Sequence, residues 1–198
     1  MKKLLLFILI FTSINLYAEE KVSEYTMSYF NKTYNIEATT VKNNEFKYYI
    51  YCESKDRHEL VGFSIDNYQI QYFIEQLRSI EGKFEEWSKT AKENNITNYD
   101  KQFDTNFKYV NTFWQYGSQW CFSSVKFRPY FKVTDDGETF VVINVSEMED
   151  SSNRYMTSEG FLIVFASVNE IEDFIKSIDP THAINRAMEQ INKDNLFN

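Results

Sequence analysis

The chain has 198 residues, with 21 basic against 29 acidic side chains and a formal charge of −8. A surface of that sign repels phosphate backbones, and no run of Lys or Arg makes a local exception, so nucleic acid and anionic membrane surfaces are excluded as expected partners. Aromatic residues make up 18% while there are only 5 Gly and 2 Pro, a balance that argues against collagen-like, low-complexity and loop-dominated chains and favours strands.

Met1-Lys2-Lys3 is a short basic start, Leu4 to Phe11 an unbroken apolar run, and Thr12 to Ala18 a more polar stretch ending in a small residue. That order is expected of a secretory signal peptide. An eight-residue apolar run is well short of the roughly 20 residues that span a bilayer as a helix, so a retained anchor is not expected. Cleavage is expected after Ala18, with Leu16 and Ala18 at the positions the peptidase reads. No cysteine stands near that point to carry a lipid. The expected remainder, 19–198, is one domain with a charge of −10, since Lys2 and Lys3 leave with the leader. The expected location is periplasmic or secreted.

In chain order, Glu24 to Phe30 and Tyr34 to Val41 read as short strands around Asn31-Lys32. From Glu45 apolar and polar positions alternate, with Phe46, Tyr48, Ile50 and Cys52 on one face and Lys47, Tyr49, Tyr51 and Glu53 on the other. His58 to Ser64 is expected to return as the partner strand. A long helix follows, capped by Asp66 with Gln69 at capping-box spacing. Its apolar stripe runs Ile70, Phe73, Ile74, Leu77, Ile80, Phe84, Trp87 and Ala91, and it ends at Asn94-Asn95. Residues 95–105 read as a polar connector.

Phe107 to Tyr116, Gln119 to Val133 and Glu138 to Ser146 then form a predicted meander, with an Asp-Gly turn at Asp136-Gly137. Pro129 implies an edge position or a bulge in the second of these. Glu147 to Ser158 reads as an acidic loop and Gly160 to Ala166 as a strand buried on both faces. Helices are expected at 168–178 and 181–195. The first of them repeats the long helix's opening: Asp66-x-x-Gln69-Ile70-x-x-Phe73-Ile74 echoes Ser167-x-x-Glu170-Ile171-x-x-Phe174-Ile175.

The fold class predicted is α+β, a largely antiparallel sheet of six to eight strands with the long helix and the C-terminal pair packed on one face. Cys52 and Cys121 fall in strand segments and are expected to form a disulfide in an oxidising compartment. His58 and His182 have no ligand-spaced neighbours and are expected to play surface roles. No phosphate-binding loop, nucleophile elbow or metal motif is present, so no catalytic residue, metal or cofactor is expected. Asp135-Asp136-Gly137-Glu138 lacks the closing Glu of a calcium loop, since position 146 is Ser.

The positive signal is aromatic. Phe113, Trp114, Tyr116, Trp120, Phe122, Phe127, Tyr130 and Phe131 crowd the central hairpin. An open face is expected to present Trp114, Tyr116 and Trp120, with Tyr49 and Tyr51 forming a similar row. The functional expectation is an exported, non-enzymatic binding protein of a bacterial envelope, engaging a protein partner that its acidity would suit to be basic, as an inhibitor or immunity protein does. A glycan is a further candidate ligand. The alternative is a small envelope hydrolase acting on glycan or peptide with paired carboxylates, Glu53 and Glu138 among the candidates.

Overall fold

The computed structural model describes residues 19–41, 43, 45–56 and 60–195. The predicted leader 1–18 and His58 lie outside the described residues. The fold is α+β and its principal sheet has six antiparallel strands. In sheet order these are β1 (Glu20–Met27), β2 (Lys32–Ala38), β3 (Lys47–Tyr51), β5 (Val61–Asp66), β7 (Tyr109–Tyr116) and β8 (Gln119–Lys126). A second antiparallel sheet of five runs β4 (Glu53–Ser54), β13 (Phe161–Phe165), β10 (Thr139–Val145), β9 (Pro129–Val133) and β6 (Tyr99–Gln102). A small ribbon joins β11 (Met148–Glu149) to β12 (Thr157–Ser158).

The helices are α1 (Asn67–Glu93), α2 (Val168–Ser177) and α3 (Pro180–Asn195). The first begins where expected, and Gln69 Oε1 accepts from Asp66 N at 3.3 Å. Ser167 Oγ likewise accepts from Glu170 N at 3.2 Å to start α2. These bonds satisfy amides that the first turn leaves without helical partners. The helices α1 and α2 pack on one another and bridge the sheets, α1 touching β5, β9 and β10 and α2 touching β1 and β13. At the next junction, Tyr48 donates its hydroxyl to Asp179 O at 2.7 Å, which ties the start of α3 to the sheet.

The echo between the two helix openings extends to topology. Four antiparallel neighbours, β1-β2-β3-β5, precede α1, and four antiparallel neighbours, β6-β9-β10-β13, precede α2, the latter interrupted by the β7–β8 hairpin of the other sheet. The polar connector expected over 95–105 thus supplies β6. The single strand expected over 119–133 divides at 127–128, where the chain crosses from one sheet to the other. Pro129 marks neither an edge nor a bulge. It opens β9, between β10 and β6, at the one strand position where a missing amide costs least.

The core lies between the sheets. Phe63 stacks on Phe161 across the gap at 6.2 Å and meets Phe73 of α1 at 5.7 Å. Met27 Sδ accepts from Val164 N at 3.2 Å, so the edge strand β1 closes onto β13. Antiparallel register then assigns the remaining side chains of the first sheet. Ile36 faces Ile50, Ile50 faces Phe63, and Phe63 faces Thr112, all turned inward. Thr112 is fully buried, and its hydroxyl has no hydrogen-bond partner among the described residues. Valine has the same shape without the desolvated hydroxyl. Thr112→Val is therefore expected to stabilise the protein by about 1 kcal/mol, read as a rise of a few degrees in thermal midpoint.

The expected Cys52–Cys121 disulfide does not form, and both thiols are buried. Both cysteines face inward on one row, but Val61 and Trp114 stand between them. Three inter-strand steps put their Cα atoms about 14 Å apart, about twice the reach of a disulfide. Cys52 instead accepts from the Tyr25 hydroxyl at 3.8 Å and donates to Ile50 O at 3.6 Å. Burial pushes its thiol well up, which suppresses the reactive thiolate. Reductant is expected to leave the thermal midpoint unchanged, and maleimide labelling of unreduced, denatured protein to find two thiols per chain.

Candidate functional site

The outer face of the six-stranded sheet gathers the aromatic side chains that do not enter the core. Lys47, Tyr49 and Tyr51 project outward from β3, as their alternation with the buried Tyr48 and Ile50 requires. On β5 the same face offers Gly62, Ser64 and Asp66, and the register sets Gly62 against Phe113. Phe113 fills the space: a Cβ on Gly62 would lie 2.8 Å from its ring and 2.1 Å from Ile50 O. Phe113 in turn lies 5.6 Å from Tyr49, 5.4 Å from Tyr51 and 5.8 Å from Trp120. Phe122 sits directly across from Phe113 on β8. Trp120 and Phe122 are 42% and 50% exposed, while Phe113 beneath them is 3% exposed. The result is a continuous aromatic shelf, floored by a buried ring and open above.

Three of the five expected surface residues belong to this shelf, Tyr49, Tyr51 and Trp120. Trp114 does not. Its register partners Val61 and Cys121 are inward, and it is fully buried. Tyr116 is exposed but stands at the tip of the β7–β8 hairpin, beyond the end of β5. Phe113 and Phe122 take the places assigned to these two. The usable signal was Gly62, because a glycine in a paired strand invites a large ring from its neighbour.

One end of the shelf is acidic. Tyr51 donates its hydroxyl to Glu37 Oε2 at 3.2 Å, and Tyr49 hydrogen-bonds the Glu19 carboxylate. Glu19 is raised above the ordinary carboxylate range, first by partial desolvation and then by the charge of Glu37, with the Tyr49 bond offsetting part of the rise. Burial and then the Glu19 charge push the Tyr49 hydroxyl up to about 12. Tyr51 is raised further, by burial and then by Glu37. An open cleft of about 610 Å³ adjoins this end, with Glu19, Glu45, Lys47, Tyr49, Asp66 and Tyr68 in its walls.

The β8 edge is partly covered by the chain itself. Asp150 Oδ1 accepts from Phe122 N at 2.7 Å, and Ser151 N donates to Phe122 O at 2.8 Å. Bonds from the Ser152 hydroxyl and from the Phe122, Ser152 and Asn153 amides hold the Asp150 carboxyl below its usual range. Asp150 is therefore a fastener for the loop.

The other chemistry-bearing candidates are engaged structurally. Glu53 binds Lys32 at 2.8 and 2.9 Å and accepts from the Tyr34 hydroxyl at 2.6 Å. Glu138 is exposed in the turn just before β10, where its backbone amide donates to Thr134 Oγ1 at 3.0 Å. His182 Nε2 lies 3.0 Å from Lys176 O at the end of α2. Among the described residues no group of three His, Cys, Asp or Glu side chains is placed to hold a metal. No described helix is long and apolar enough to cross a membrane. No protein-family model, curated protein or solved structure matches the chain.

Proposed function

We propose that this protein is an exported, non-enzymatic binding protein of a bacterial envelope, and that it holds a basic protein partner on the outer face of its six-stranded sheet, as an inhibitor or immunity protein does. The observation that carries this reading is the shelf of Tyr49, Tyr51, Phe113, Trp120 and Phe122, with two large rings open to solvent on a rigid support. Rigid aromatic side chains deliver large contact area with little loss of rotamer freedom, which is why they dominate binding hot spots. The alternative hydrolase would need a buried carboxylate pair in a cleft. Glu19 is exposed at the rim and Glu37 is half-buried on an open sheet, an arrangement suited to contact.

The test is capture of the partner from its own cell envelope by the native protein and by a Trp120→Ala/Phe122→Ala double variant. Truncating two hot-spot rings is expected to cost at least about 2 kcal/mol of binding, roughly thirtyfold in affinity. The same variant is expected to keep its circular dichroism and thermal midpoint, since both rings are half in solvent. Equal capture by the two proteins would end the aromatic-face reading.

A further inference from the structure

The acidic end of the shelf carries more negative charge than its neighbours neutralise. Ion pairs occupy the nearby cations: Lys47 holds Asp66 at 3.3 Å, Lys32 holds Glu53 at 2.8 Å, and Arg186 holds Glu20 at 2.9 Å. Lys21 stands opposite Glu37 in register, but its ammonium pairs with Glu24. Glu19 and Glu37 take part in no ion pair among the described residues. Their partners on the sheet are two neutral tyrosine hydroxyls. Glu37 stands opposite Tyr49 in register and bonds Tyr51, and Glu19 lies near enough to feel its charge. Both carboxylates thus sit at one end of a row of rings that begins at Tyr51 and runs through Phe113 to Trp120.

We propose that the Glu19–Glu37 pair and the adjoining Tyr51–Phe113–Trp120 shelf form a seat for an arginine-bearing extended segment of a partner protein. This rests on the binding reading above and says which chemistry the face selects. A guanidinium relieves the carboxylate repulsion, offers a planar fork to carboxylate oxygens and stacks on aromatic faces. A lysine ammonium supplies the charge without the fork or the stacking plane. The segment is extended because the seat lies on a flat sheet face, where alternate side chains of a strand reach one surface. Arginine binds the carboxylates while a neighbouring side chain of the same segment covers Trp120.

The probes are the peptides acetyl-(Thr-Arg)4-amide, acetyl-(Thr-Lys)4-amide and acetyl-(Thr-Glu)4-amide, titrated calorimetrically into the purified protein. The arginine peptide is expected to bind at least about fivefold more tightly than the lysine peptide, and the glutamate peptide not at all. Glu37→Gln is expected to weaken arginine-peptide binding about tenfold. Its amide oxygen still accepts from Tyr51, so its circular dichroism should match the native protein. Glu85→Gln removes the same charge from an exposed helical position and is expected to leave affinity unchanged.

Equal losses in Glu37→Gln and Glu85→Gln would reduce the effect to bulk charge and overturn the proposal, as would absence of arginine-peptide binding. A dimer in sedimentation that Trp120→Ala dissolves would assign the face to a second copy of the chain, also overturning it. Partner capture that depends on Trp120 and Phe122 but is untouched by Glu37→Gln sinks this inference and leaves the binding reading standing. Capture indifferent to all three residues removes both.

Discussion

Trp114→Ala is expected to destabilise the protein by about 3–5 kcal/mol, the cost of emptying a large aromatic site in a packed core. Trp114 is the largest fully buried side chain among the described residues. It sits between Val61 and Cys121 on the inward row of the six-stranded sheet. Domains of this size are stable by only about 5–15 kcal/mol, so the loss should appear as a large fall in denaturant midpoint and as reduced yield of folded protein. Trp114→Phe should recover most of it, because the indole Nε1 makes no hydrogen bond among the described residues and phenylalanine forfeits none. Trp120→Ala, one strand away and on the opposite face, should leave the midpoint nearly unchanged. A midpoint that moved equally for Trp114→Ala and Trp120→Ala would contradict the register of β7 and β8.

Gly160→Ala is the second large effect, expected at about 3 kcal/mol or more. Gly160 has φ +90°, a conformation that side-chain-bearing residues seldom adopt. A Cβ there would also stand 2.2 Å from Val145 O and 2.4 Å from Ser146 O. Both atoms belong to the backbone, so neither can rotate aside. Gly160 leads directly into β13, and its carbonyl accepts from Lys55 N at 3.1 Å. Displacing it would therefore disturb the pairing of β13 with β4 as well as with β10. Thermal unfolding of the variant measures this, and a midpoint within a degree of the native value would show that the close approach to Val145 is not maintained in solution.

The elements that were legible in the sequence were those whose signals are local. Asp66, Gln69 and the stripe from Ile70 to Ala91 marked α1, and Ser167 with Glu170 marked α2, because caps and a period of three to four residues arise within a single helix. Alternation along Lys47–Tyr51 assigned Tyr49 and Tyr51 to the outer face correctly. The same reasoning misplaced Trp114 because Val110–Tyr116 offers large side chains at both parities, Phe113 as well as Trp114. Asn111 and Gln115 share the parity of Phe113 and mark the outward side, a signal outweighed by the size of the two adjacent rings. The contact of Phe113 with Gly62 then decides the orientation. The disulfide expectation failed for a related reason: two strand-borne cysteines reveal nothing about how many strands lie between them.

Composition and pattern alone determined the class of fold, the long helix with its caps, the acidic charge and the presence of an aromatic central hairpin. Each of these follows from residue type or from spacing within one element. Tertiary structure decided how the thirteen strands among the described residues divide between sheets, why Gln119 to Val133 splits at 127–128, which way Trp114 points, and that Glu19 and Glu37 lie at the same end of the face as Tyr49 and Tyr51. Those outcomes depend on inter-strand register. A shift of one residue exchanges the two faces of a strand, and register is selected by packing between residues far apart in the chain.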